Sequence, residues 1–313
     1  VPNHGANDGA LILPLDACDY TDYRPIAQAA MFAASGARPL SAGPWDELGA
    51  WLYGDRFLEA KHAPRAPKSC RLDAGGYYTL RGERSWCMIR CHTYRDRPAH
   101  VDMMHLDLWH NGCNILSDSG TYLYYSPGEP AFEKFFKDIG AHNTVQIGET
   151  GPLTLASRFM WVPWPEATCE AHGDARWQGV SLAYSGAPWR VTHRRSVERI
   201  SDDEWHITDE LTGAGEQEIM LRWHTIDAPV THHTRDKVVV LDACCGKVRF
   251  SFEGADSLRL SIRRGDDSPA GVMGWQSYYY GERTPRPTLE LSGRVNLPIK
   301  ISTRISLGGE AAL

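Results

Sequence analysis

Imidazoles and carboxylates crowd one stretch of this sequence. His100, Asp102, His105, Asp107, His110 and Asp118 fall within it, and His142 follows 24 residues after Asp118. A titrating imidazole beside a carboxylate can move protons. Two imidazoles with one carboxylate make a donor set suited to Zn²⁺. His100, Asp118 and His142 are one such set. The hairpin geometry offers another. Asn111-Gly112 stands between two apolar-alternating runs, a strong turn signal. A plain two-residue turn there pairs residues whose numbers sum to 223, which puts His105 opposite Asp118. His100 reaches Asp118 only if the strand bends, bulges or meets it end-on.

Other residues suggest what such a site could serve. Arg95, Arg97, Arg158, Arg194, Arg195, Arg263 and Arg264 are local cations that could hold an acidic ligand on a net-negative chain. Trp109, Trp161, Trp164, Tyr122, Tyr124 and Tyr125 could stack on sugar rings, as could the Tyr278–Tyr280 run. For any one of them, core packing is the commoner role. Asp202, Asp203 and Glu204 are adjacent acids, which fits a solvated turn better than the paired carboxylates of a glycosidase.

The elements that must position these groups are mostly strands. The Ala-rich run Asp22–Ser35 reads as a helix closed by Gly36, and Pro44 opens a second with Trp45, Leu48, Trp51 and Leu52 at helical spacing. From about residue 68 onward, short alternating or β-branched runs recur between Gly, Asp, Asn and Pro. They include Ser85–Tyr94, Val101–Trp109, Asn114–Tyr125, Asn143–Ile147, Glu204–Leu211 and Ile299–Ile305. Strands without interleaved helices predict a mainly β chain, a large antiparallel β-sandwich. The boundary is expected in the Lys61–Lys68 stretch with Pro64 and Pro67, giving a helical segment over 1–65 and a sandwich over 66–313.

Composition sets outer limits. The chain has 313 residues, 42 % hydrophobic and 23 % charged, with a net charge of −6. A sizeable core is feasible, and a sequence-independent nucleic-acid binder would need a basic excess instead. No apolar run approaches the ~20 residues of a membrane-spanning helix. Eight cysteines are present, two of them adjacent at Cys244 and Cys245. Cys87, Cys91 and His92 match no common zinc knuckle, so scattered core thiols are expected.

Several segments resemble the C-terminal domain of the heparinase II/III-like family of polysaccharide lyases. They are Arg97-Pro-Ala-His-Val-Asp102, Leu106-Asp-Leu-Trp109, Asp118-Ser-Gly-Thr-Tyr-Leu-Tyr124 and Ala141-His-Asn-Thr-Val145. Arg158-Phe-Met-Trp161, His193-Arg-Arg195, Trp205–Gly213, Trp223, Pro2–Gly9 and Asp22-Tyr-Arg-Pro25 add to them, so the likeness spans nearly the whole chain. The resemblance implies that the helical segment is the tail of an (α/α) toroid and that His100, Asp118 and His142 form a structural zinc site. It implies a lyase that cleaves a uronic-acid polysaccharide by β-elimination. Of the cations and rings named above, Arg97, Tyr124 and Arg158 are the nominated substrate contacts. It implies a periplasmic or secreted protein, although no signal segment begins at Val1. Relatives carry a catalytic His two positions before the metal His. Pro98 stands there in this chain, and His105 is the nearest substitute. The family's acid/base Tyr is expected before Val1. The competing expectation is a noncatalytic carbohydrate-binding or scaffolding sandwich.

Overall fold

The computed structural model describes residues 3–5, 15–95, 99–148, 153–157, 160–164, 166–182, 191–233, 236–266 and 271–308. Helix α1 (Arg24–Ser35) starts with a proline in its first turn and stops at Gly36, whose φ of 69° lets its N–H reach Phe32 O. A 3₁₀ turn at Pro44–Asp46 leads into α2 (Glu47–Tyr53), and α3 (Asp55–Leu58) follows. Gln28 and Arg38 both bond the Asp46 carboxylate, tying the two helical runs together.

The first sheet contains β1 (Cys70–Leu72), β2 (Tyr77–Arg81), β3 (Ser85–Arg90), β4 (Leu106–His110) and β5 (Cys113–Leu116), paired in that order. The chain then runs through α4 (Pro130–Phe135), β6 (Val145–Ile147) and a small hairpin, β7 (Thr154–Ser157) with β8 (Met160–Val162). The remaining strands are β9 (Glu166–His172), β10 (Arg176–Leu182), β11 (Thr192–Ser201), β12 (Glu204–Thr212), β13 (Glu216–His224) and β14 (Val230–His233). After them come β15 (Val238–Ala243), β16 (Gly246–Glu253), β17 (Arg259–Arg263), β18 (Trp275–Gln276), β19 (Thr284–Pro285), β20 (Thr288–Asn296) and β21 (Ile299–Leu307).

One sheet orders eight strands as β14-β15-β16-β21-β12-β11-β10-β9, and another orders four as β17-β20-β13-β6. The four-stranded sheet continues the five-stranded one, because Ser117 N–H reaches His224 O and Ile226 N–H reaches Ile115 O. This combined layer faces the eight-stranded sheet. Leu80, Ile89, Leu108, Leu221 and Trp223 from one side share a core with Val197, Trp205, Ile207, Phe250 and Ile305 from the other. Trp205 Nε1 donates across the gap to Ser85 Oγ at 3.1 Å. The fold is therefore the mainly β antiparallel sandwich, preceded by helices, that the strand periodicity predicts.

Several expected strands are shorter than their patterns, and two of them bear on the histidine cluster. The Val101–Trp109 run is a strand only from Leu106, and Asn114–Tyr125 only to Leu116. Met104 and Tyr122 take φ of 62° and 63°, which no ladder accommodates. The polar residues at 100–105 and 117–122 consequently lie in loops at the strand ends. Cysteine pairing also departs from expectation. Cys113, at the start of β5, is bonded to Cys244, in the β15–β16 turn, so one thiol pair joins the two layers.

Candidate functional site

The site is built from the ends of β4 and β5 and the turn before β6. Asn111 and Gly112, at φ of 47° and 80°, make the expected turn, and His110↔Cys113 and Trp109↔Asn114 keep the expected register. The register then slips by one, with Leu108 opposite Leu116, so Ile115 is a bulge residue. The slip does not separate the partners that the hairpin arithmetic joined. His105 Nε2 stands 3.7 Å from Asp118 Oδ2, and His142 Nδ1 lies 2.9 Å from the same oxygen. Asp118 Oδ1 accepts the Gly120 N–H at 2.8 Å, which fixes the carboxylate.

His105, Asp118 and His142 offer ligand atoms all within 4.8 Å of one another, and all three are buried. His100 is buried beside them, its ring centroid 5.6 Å from that of His142. The resemblance names His100 for the donor set. The distances instead place His105 there, because the loop after His100 brings the chain back through Met104 before β4 begins.

The hydrogen bonds discriminate differently. His105 Nδ1 accepts the Asn143 N–H at 3.0 Å. A neutral imidazole accepting at Nδ1 carries its proton on Nε2, so His105 Nε2 is a donor facing the carboxylates of Asp118 and Asp107. Among the described residues His100 has neither ring nitrogen bonded, and His142 Nε2 is likewise buried and unbonded. Both oxygens of buried Asp107 also lack a hydrogen bond, although His105 Nε2 approaches Oδ2 to 3.5 Å. So many buried donor atoms without partners fit a bound cation, since each would otherwise cost roughly 1–3 kcal/mol.

The titrations follow from burial. Burial, and then the neighbouring His142, pulls His100 down to about 4. Burial alone would raise the Asp118 carboxyl, but His142 and His105 hold it well below the usual carboxylate range.

Asn143, the residue between His142 and β6, is the hub that sequence reasoning did not single out. Its amide donates to Leu106 O and Ser117 O at 2.9 and 3.1 Å, and its Oδ1 accepts the His224 N–H at 2.6 Å. Behind it, Arg195 donates to Asn143 O and Met104 O at 2.7 and 2.6 Å. Only its place in Ala141-His-Asn-Thr-Val145 pointed to it.

A second buried group adjoins the first. Asp102 lies 2.8 Å from His4 Nε2 and 3.4 Å from Arg90 Nε, and it also accepts from the Tyr94 hydroxyl. The His4 ring sits 5.6 Å from that of His105. Burial would raise the Asp102 carboxyl, but His4 and Arg90 hold it well below its ordinary value.

The other nominated residues separate. Tyr124 is 46 % exposed, beside exposed Tyr125, Tyr279 and Tyr280. Its N–H donates to the Tyr280 hydroxyl at 3.0 Å, and Gly281 N–H donates to Tyr122 O, so two loops form one aromatic face. Asn3 and Gly5 bond the same loops, at Ser277 O and the Thr121 hydroxyl. Arg195, a candidate cation, is buried against Asp209 and cannot meet a ligand at the surface, while Arg194 pairs with Glu170. Arg97, Pro98 and Arg158 lie outside the described residues.

With that geometry in place, comparison with known proteins is decisive. The model of the family described as heparinase II/III-like, C-terminal, matches residues 64–303. The chain belongs to that family. A curated heparin-sulfate lyase from Bacteroides stercoris is 24 % identical over 187 residues, covering 58 % of this chain and 24 % of its own length. A heparinase III structure superposes with a TM-score of 0.66 at 16 % identity, over 90 % of this chain and 42 % of that one. A heparan sulfate lyase from Pedobacter heparinus gives 0.63 at 16 %, over 95 % and 44 %. The heparinase II/III-like chain thus spans about a quarter of the curated relative and under half of the solved ones.

Proposed function

We propose that this chain is the sandwich part of a polysaccharide lyase acting on an anionic, uronate-containing polysaccharide. Such an enzyme removes the proton α to the uronate carboxylate and expels the 4-linked sugar, with the acid group neutralised as charge develops. Membership of the heparinase II/III-like family is the observation that carries this reading. The tyrosine face of Tyr124, Tyr125, Tyr279 and Tyr280 supports it, since exposed aromatic rings suit sugar stacking. The polysaccharide is digested with this chain alone and with a chain extended at its N-terminus. Ultraviolet absorbance from an unsaturated uronate is the expected product signal. New reducing ends without that absorbance would mean hydrolysis and end the proposal. Binding with neither signal, from both chains, would leave the noncatalytic binding module.

The metal in this reading is zinc with a structural role, held by His100, Asp118 and His142. Two imidazoles and a carboxylate are a zinc donor set, and such an ion would pin the loops at 100 and 142 to the end of β5. Full burial of the donors supports a structural rather than a substrate-binding ion. His105, nominated as the replacement acid/base, is fully buried with Nδ1 engaged, which favours a positioning role beside Asp118. The Cys113–Cys244 bond supports a periplasmic or secreted location, because disulfides persist in oxidising compartments.

A further inference from the structure

The open edges of the two layers meet on elements that contribute nothing to the histidine cluster. Strand β14 ends the eight-stranded sheet and β17 ends the four-stranded one. Between them lies a cleft of about 420 Å³ lined by His232, Lys237, Leu258, Arg259, Leu260 and Ser261. That volume is within the range of small-molecule sites and exceeds what a bare inorganic anion fills.

Its chemistry is specific. His232 Nε2 and Ser261 Oγ are both buried without a hydrogen-bond partner among the described residues, one from each layer. Unpaired buried donors are costly, so their convergence on one cleft points to a ligand. Leu258 and Leu260 border the cleft but turn their side chains into the core between the layers. Two cations border it. Lys237 sits in the turn into β15 at a φ of 48°, and its ammonium donates to Ala255 O, which holds it at the cleft. Arg259 is exposed and has no ion-pair partner among the described residues. The described lining contains no carboxylate.

We propose that this cleft binds one acidic sugar unit of a polysaccharide, as a noncatalytic subsite. The sugar hydroxyls meet His232 and Ser261, and the carboxylate or sulfate faces Lys237 and Arg259. The proposal rests on the polysaccharide reading above but not on lyase chemistry.

The test is methyl NMR on the full chain during titration with a heparan sulfate tetrasaccharide, an unsulfated glucuronate tetrasaccharide, and inorganic sulfate. The expected result is movement of the Leu258 and Leu260 methyl signals with at least one tetrasaccharide. The two sugars then tell a sulfate from a carboxylate contact. Arg259→Ala, on an exposed side chain, should weaken that binding about tenfold, and Ser261→Ala by a smaller factor. Inorganic sulfate binding as well as either sugar would overturn the saccharide assignment. Shifts confined to the Tyr124 and Tyr280 loops would overturn the cleft and leave the functional reading standing. No shift anywhere would overturn both.

Discussion

Arg195 and Asp209 stand opposite each other on β11 and β12, and the guanidinium grips the carboxylate with two bonds, Nε at 2.7 Å and Nη2 at 3.0 Å. Both side chains are fully buried, and His193 Nε2 shares the Asp209 oxygen at 2.6 Å. The pair links fold to site, because Arg195 also donates to the carbonyls of Met104 and Asn143, on the loops that carry His105 and His142.

Removing one partner of a buried pair leaves an uncompensated charge. Asp209→Ala should therefore cost about 3–5 kcal/mol in urea unfolding, far more than a surface substitution. It should also lower metal content, because the Arg195 anchor on the Asn143 loop loosens. A cost below about 1 kcal/mol would show that the pair does not organise this region.

The donor set separates by substitution. Distance favours His105 and hydrogen bonding favours His100. If zinc is held by His100, Asp118 and His142, His100→Ala and His142→Ala should each lose the ion, and chelation should sharply lower Tm in the parent chain but not in these two variants. His105→Ala should keep most of the zinc while losing stability. Metal analysis of the three variants decides it, and full occupancy in His100→Ala with loss in His105→Ala would reverse the assignment. Unchanged melting of a zinc-free parent and of His142→Ala would remove the metal altogether.

Acid should act early on this fold. His224 donates from Nε2 to Gly140 O, and its Nδ1 faces the Thr288 hydroxyl at 2.9 Å, an arrangement suited to the neutral ring. Burial, and then the Arg222 charge, lowers its pKa from 6.5 to about 3. The unfolded chain takes up this proton near 6.5 while the fold resists it, so the unfolded state binds more protons through that window. Stability is then fully present above the unfolded pKa and is lost as pH falls toward the folded one. From about pH 7 to about pH 5 this group alone removes about 2 kcal/mol. His100, lowered to about 4, adds a loss of the same sign. Urea unfolding at the two pH values measures the sum. His224→Gln should flatten the dependence by about one proton, and an unchanged slope would refute the assignment.

These examples show where sequence was sufficient. Asn111-Gly112 encodes its turn locally, so the hairpin and the approach of His105 to Asp118 were readable. The alternation of β12 correctly sends Trp205, Ile207 and Leu211 inward. The alternation of β12 also buries Asp209, and that of β11 buries His193 and Arg195, where residue type alone suggested surface charge. Their burial depends on pairing between strands, which no single-strand pattern contains. The strand overreach at Val101–His105 and Ser117–Tyr125 has a related origin. β-Propensity persists there, but the backbone leaves the ladder to bring loop groups together. Asn143 carries no signal of its own, since its bonds run to Leu106, Ser117 and His224, far apart in the chain.

The bond between Cys113 and Cys244 gives the last prediction. The two residues are 131 apart in sequence, and six other described cysteines are free, so spacing alone could not select them. Closing so long a loop restricts the unfolded chain, and the native structure needs no further ordering to keep the link. On the chain-entropy account a loop of this length is worth about 4–5 kcal/mol, and measured disulfides more often give about 2–4. The link runs from the start of β5 to the β15–β16 turn, so it also clamps the hairpin of the candidate site to the opposite layer. The double substitution Cys113→Ser with Cys244→Ser should lower unfolding free energy by about 3 kcal/mol without changing the urea midpoint's sensitivity to chelator. Reductant should reproduce the loss in the parent chain and have no effect on the double variant. Equal stability of the parent with and without reductant, alongside two titratable thiols at these positions, would show that the bond does not form.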